Sequence, residues 1–230
     1  MSTKPSSFSA QSFQFLEELS KNNNRPWFNA HKQRYEDTIR SPALALIEAM
    51  QPNIQHISPH MSATAKKIGG SLMRVYRDVR FAKDKTPYKT NIGIQFKHRC
   101  AKDVHAPAFY LHISNQECFL AAGIWRPSGT ALASIREMIS DNPQSWKNIT
   151  QEKSFQSAFE LSGQSLKTYP RGYSKDHPMI HDLKRKDFIA IQAISREQVL
   201  DPLFMETLSD SYQQSSDFMD YLCQALELNF

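Results

Sequence analysis

Six cations fall within residues 74–89, Arg74, Arg77, Arg80, Lys83, Lys85 and Lys89, opposed there by Asp78 and Asp84 alone. Guanidinium forks grip carboxylate or phosphate oxygens in bidentate fashion, and ammonium groups add point charge, so cations concentrated in this way can hold an anion. In an unbroken strand Arg74 and Tyr76 share one face and Val75 and Arg77 the other. A turn beginning near Asp78 instead gathers Arg77, Arg80 and Lys83, three apart, on one side. The competing reading is a solvated charged surface in which Asp78 pairs with Arg74 or Arg77 and Asp84 with a nearby lysine. Tyr76, Phe81, Pro87 and Tyr88 threaded among the charges favour an ordered, partly buried segment.

Residues 170–186, PRGYSKDHPMIHDLKRK, form a second basic stretch. Arg171 and His177 are its candidate ligand-facing groups, and Gly172 permits close backbone approach. His177 and His181 stand at the four-residue spacing of a helical metal pair, but Pro178 places His177 at or before the helix start, so it is expected to cap or face an anion and no metal is expected. A third set lies on a strand face, where Tyr110 and His112 alternate with Leu111 and Ile113, and Trp125 with Arg126 ends the next strand. His112 has the pKa for general acid–base work, and Asp78 and Asp84 are the other acid–base candidates. Trp125 serves equally as a stacking shelf or as core.

Four stretches, GGSL (69–72), RVYRDVRFAKDKTPYKTN (74–91), AAGIWRP (121–127) and PRGYSKDHP (170–178), together with FLEELSKNNNRPWFNAHK (15–32), resemble the conserved hypothetical bacterial and fungal family known as domain of unknown function 2461. The resemblance spans nearly the whole chain. It implies one intact domain and carries no established activity, cofactor or substrate.

The elements that must position these groups can be read from periodicity. Phe13, Leu16 and Leu19 with Phe15 mark an amphipathic helix stopped at Asn22-Asn23-Asn24. Pro26 opens a second helix through Trp27, Phe28, His31 and Tyr35, and Pro42 a third, expected to end before Pro52. Residues 71–77, 91–98, 106–114, 117–125 and 187–195 read as five strands, the third and fourth forming a hairpin about Asn115-Gln116. A helix carries Leu132, Ile135, Met138 and Ile139, and short helices are expected around Trp146 and over Phe155–Leu161. Ser195 and Gln198 have capping-box spacing, and a last helix is expected to turn Leu203, Leu208, Phe218, Leu222 and Leu226 inward. The resulting fold class is α+β: a central, largely antiparallel sheet of about five strands, with helices at the N-terminus, in the 127–161 region and at the C-terminus. Residues 1–8 are expected to be a flexible tail and 9–230 a single domain.

The 230 residues, 40% hydrophobic and 22% charged, can supply a substantial core. The net charge of +5 is unevenly placed: residues 74–89 carry a local +4, whereas 196–230 oppose Arg196 with seven carboxylates. Cys100, Cys118 and Cys223 form no CxxC pair and suit reduced thiols. No signal peptide or membrane span is evident, so the expected location is the cytoplasm, without membrane association. The sequence contains no GxGxxG, GxxxxGK[ST], GxSxG or HExxH, which removes support for dinucleotide, Walker-type, hydrolase-elbow and zincin sites, and no cofactor is expected. The favoured expectation is a pocket for an anionic small molecule (phosphate or carboxylate), formed by Arg74, Tyr76, Arg77, Arg80, Lys85, Tyr88, Lys89, Trp125, Arg126, Arg171 and His177, with enzymatic action on a phosphorylated small molecule left open. The alternatives are a nucleic-acid-binding module and a scaffold whose arginines pair internally. The sequence specifies no oligomeric state.

Overall fold

The computed structural model describes residues 8–100 and 106–230. The N-terminal layer is helical. In α1 (Ala10–Lys21), Phe13, Phe15, Leu16 and Leu19 are buried as their spacing requires. Asn24 caps α2 (Arg25–Ala30) by accepting the Trp27 N–H at 3.0 Å. The path continues through α3 (Lys32–Tyr35) and a π-helical turn at Glu36–Arg40 into α4 (Ser41–Ile57). Contrary to expectation, α4 runs through Pro52. Its core face, with Leu46, Ile47 and Met50 before the proline and Ile54 after it, stays buried, and this packing outweighs the one intrahelical bond that a proline deletes. The segment expected to be a flexible tail splits: residues 1–7 lie outside the described residues, whereas Phe8 is buried in the core.

Six antiparallel strands form one sheet in the order β1-β2-β3-β4-β6-β5. They are β1 (Met61–Ser62), β2 (Asn91–His98), β3 (Ala108–Ser114), β4 (Cys118–Ile124), β5 (Glu160–Ser162) and β6 (Phe188–Ile194). Residues 71–77, expected to be a strand, make only a bridge at Leu72↔Ile94 before peeling away to pair with their own downstream segment at Tyr76↔Tyr88. There the Arg77 N–H donates to the Pro87 carbonyl and the Lys89 N–H to the Val75 carbonyl, so the charged stretch closes on itself as a ribbon beside β2.

The helices cover one face of the sheet. Ile92, Ile94 and Phe96 of β2, Phe109, Leu111 and Ile113 of β3, and Leu120 and Ala122 of β4 join α1–α4 and the later helices α9 (Arg196–Leu200) and α10 (Phe204–Gln214) in one cluster. Ile124 of β4 with Phe188 and Ala190 of β6 joins a second cluster. That cluster is completed by α5 (Gly129–Asp141), α6 (Pro143–Thr150), α7 (Lys153–Ala158), α8 (Ile180–Leu183) and α11 (Ser216–Ala225). The helix expected over Phe155–Leu161 stops at Ala158 and gives way to β5. The last expected helix is two, α10 and α11, broken at Ser215; Leu208, Phe218 and Leu222 are buried, whereas Leu203 precedes α10 and is exposed. Among the described residues no helix is long and apolar enough to cross a membrane.

Candidate functional site

With helices on one face, the alternation of the strands turns a second set of side chains to the other. Register puts Gly93 beside His112, Gln95 beside Tyr110 and Lys97 beside Ala108 across β2 and β3. It continues with His112 beside Phe119, Tyr110 beside Ala121 and Ala108 beside Gly123 across β3 and β4, and with Ala121 beside Ile191 and Gly123 beside Ile189 across β4 and β6. All of these but Gly93, with Met73, Lys89, Asn91 and Trp125, line a cleft of about 660 Å³. It is mainly apolar with a few convergent polar groups, the usual composition of a small-molecule site.

His112 is the most constrained polar group in it. Its ring stacks on Phe119 with centroids 4.7 Å apart and planes 5° from parallel. Nδ1 lies 3.2 Å from Tyr110 Oη and 3.4 Å from Asn91 Nδ2. An Asn amide nitrogen can only donate, so Nδ1 accepts and the neutral imidazole carries its proton on Nε2, which has no partner among the described residues. Burial lowers the His112 pKa and raises that of Tyr110, holding both neutral near pH 7. Gly93 makes room for this set, because a Cβ there would stand 2.9 Å from Met73 Sδ and 3.0 Å from Tyr110 Oη.

Lys89 and Asn91 also line a second cleft of about 420 Å³ with Ser20, Asn23, Arg77, Asp84, Thr86, Tyr88 and Thr90. The half-buried Lys89 is the cation common to both, and its ammonium meets no carboxylate among the described residues. Its pKa is lowered first by burial and then by the neighbouring Arg74 charge.

The other cations of the 74–89 stretch are arranged differently. Arg80 clasps Asp78 with Nε at 3.0 Å and Nη2 at 2.7 Å, and its guanidinium lies over the Phe81 ring. Arg77 bonds Asp84 and the Thr86 hydroxyl, and Asp84 accepts the Thr86 N–H at 2.9 Å. Lys85 Nζ donates to the Val79 carbonyl at 2.9 Å. Asp78 is held at a pKa of about 2, chiefly by Arg80, and Asp84 also at about 2, by the Thr86 N–H and by Arg77, so neither can trade protons at neutral pH. Tyr88 is buried and stacks on Phe28 with centroids 4.0 Å apart, whereas Tyr76 is half exposed and Phe81 is 95% exposed. The aromatic content of this stretch is therefore only partly buried.

Three further candidates lie apart. Arg126 adopts φ +52, its guanidinium stacks 4.5 Å from the Trp125 ring, and its N–H donates to the buried Asp187 carboxylate at 2.8 Å. His177 precedes α8; its Nδ1 accepts the Met179 N–H at 3.1 Å and its Nε2 meets Ser140 of α5 at 3.1 Å, on the helix-covered side. Arg171 is exposed on the loop before it. Sequence reasoning missed Asn91, Gln95, Lys97, Phe119, Ala121, Ile189 and Ile191; each occupies an open-face position in a segment already read as a strand.

An antiparallel sheet sheathed by helices on one side and hollowed into a mixed apolar and basic cleft on the other defines an α+β protein with a candidate small-molecule site. The chain belongs to the conserved hypothetical protein family DUF2461, whose model matches residues 11–221. No curated protein matches it.

Proposed function

We propose that the open sheet face binds a small molecule carrying a phosphate or carboxylate, with Lys89 as its anchor and the neighbouring Arg74 adding positive potential. One observation carries this reading: Lys89 is half buried, lies at the junction of the two clefts beside another cation, and has no counter-ion among the described residues. A desolvated cation in that position is stabilised by an incoming anion. Arg77 and Arg80, whose charges are matched within their own ribbon, position that ribbon rather than the ligand. His112 is the one acid–base candidate of the three that lies in the larger cleft. Free thiols at Cys100, Cys118 and Cys223 suit a reducing compartment such as the cytoplasm.

A thermal-shift titration with inorganic phosphate and pyrophosphate tests this. The wild type gains stability with added anion, by about 2.7 kcal/mol at a hundredfold excess over Kd. Lys89→Ala loses the gain and Arg80→Ala keeps it. An equal gain in Lys89→Ala, or none in the wild type, refutes the reading. Exposure of Tyr76, Phe81 and Trp125 favours a second reading, single-stranded nucleic acid stacked on those rings. Oligonucleotide affinity that falls steeply with salt and fails in Phe81→Ala would select it.

A further inference from the structure

Apart from Lys89 at the Asn91 end and Lys97 at the opposite end of β2, the larger cleft carries no charged side chain among the described residues, and its β4 and β6 side is apolar. The floor sinks at Ala121 and Gly123, and Phe119, Ile189, Ile191 and Trp125 wall it. From Asn91 to Lys97 the cleft follows six residue steps of β2, roughly 20 Å at the rise of a strand. An inorganic anion held at Lys89 would leave the apolar β4 and β6 side of that length filled with water. Trp125 at the far end, with the Arg126 guanidinium on its ring, would stay 65% exposed.

We infer that the ligand is an elongated amphiphilic anion: a carboxylate or phosphate head at Lys89 and an apolar tail laid across Ala121 toward Ile189, Ile191 and Trp125. This rests on the anion-site reading and adds the class of molecule. The cation common to both clefts, Lys89, lies at the Asn91 end, whereas the β4 and β6 side offers Phe119, Ala121, Ile189 and Ile191; Lys97 stands on the β2 rim at the other end, beside the path of the tail. Along the β2 rim, Asn91 and Gln95 offer amides to oxygens near the head. The tail requires no covalent step, and its affinity comes from the apolar area it removes from water.

Calorimetric titration of the whole chain with acetate, butyrate, hexanoate, octanoate and decanoate, alongside inorganic phosphate, tests the tail separately from the head. In the wild type, affinity rises with chain length, by up to about fourfold per methylene. Binding quenches or shifts Trp125 emission, identified by its loss in Trp125→Phe. In Ala121→Leu, which raises the floor, the chain-length gain disappears while acetate and phosphate bind as before. Ile191→Thr, a milder change on the wall, reduces the gain and serves if Ala121→Leu does not fold. If short anions bind through Lys89 but affinity is flat with chain length, the amphiphile is wrong and the anion site stands. If the long carboxylates bind Lys89→Ala as tightly as the wild type, the anionic head is wrong. Absence of binding by every probe removes both readings.

Discussion

The side-chain amide of Asn23 pairs with the backbone of Tyr88 as a neighbouring strand would. The Tyr88 N–H donates to Asn23 Oδ1 at 3.0 Å, and Asn23 Nδ2 donates to the Tyr88 carbonyl at 2.9 Å. One residue from the α1–α2 turn thereby fixes the downstream limb of the charged ribbon and holds the Tyr88 ring on Phe28, one residue before Lys89. Asn23→Ala strands both backbone groups and is expected to cost about 1–3 kcal/mol in urea unfolding, with an unchanged m-value. Asn23→Asp keeps the acceptor, loses the donor and falls between. A loss indistinguishable from zero in the alanine variant would show that water replaces the amide without penalty.

Asp78 and Asp84 titrate separately from ordinary carboxylates. Their pKa values near 2 lie below the ordinary value of about 4, so what their ionised forms contribute is fully present above that ordinary value and is lost as pH falls toward 2. Carboxyl-carbon NMR should place both midpoints below about 3 in the wild type. Arg80→Ala should return Asp78 toward its ordinary value and leave Asp84 in place, since Thr86 and Arg77 hold the latter. A joint shift of both would contradict the two separate pairings.

His112 should resist protonation. Its pKa is depressed by burial, so the unfolded chain takes up the proton at higher pH than the folded one, and the folded state loses stability as pH drops below about 6.5. The ring's titration, followed by NMR, should have its midpoint below that value. Phe119→Ala, which opens the imidazole face to water, should move the midpoint up. A wild-type midpoint above 6.5 would mean that a carboxylate, not burial, governs the ring.

Two glycines should respond in opposite ways to the same change. Gly123 has φ +124, and a Cβ there would stand 2.1 Å from the Phe188 carbonyl oxygen across the β4–β6 ladder, so Gly123→Ala is expected to cost at least ~3 kcal/mol. Gly129, the first residue of α5, has open space around its missing Cβ, and Gly129→Ala is expected to stabilise by about 0.4–1 kcal/mol. Melting of the two variants side by side checks both signs.

Where the sequence repeats a period over a whole element, the fold was legible. Tyr110 and His112 alternating with Leu111 and Ile113 correctly separated the two faces of β3, and the spacing of Phe13, Leu16 and Leu19 marked α1. β1 and β5 span two and three residues, too short to show a period. Pro52 misled because a proline signals a helix end only when packing on both sides of it is weak. Within the candidate site, His112, Trp125 and Lys89 could be named, but register could not be read, and register is what sets Phe119 against His112 and Ala121 against Ile191. The pairing of Arg80 with Asp78 two residues away depends on a bend that no periodicity records, so the charged stretch looked more available than it is.

The last thirty residues finish a core that the first sixty begin. α10 packs on α4, Phe230 sets its ring against Phe109, and His98, whose Nδ1 accepts the Cys100 N–H, donates from Nε2 to the Asn229 carbonyl. A ribosome adding about 5–20 residues per second needs roughly eight to thirty seconds to travel from the end of α4 to the end of α10. Until α10 has been made, that part of the α4 surface lacks the helix that completes its packing, so the N-terminal layer cannot finish its core before the chain is almost wholly synthesised.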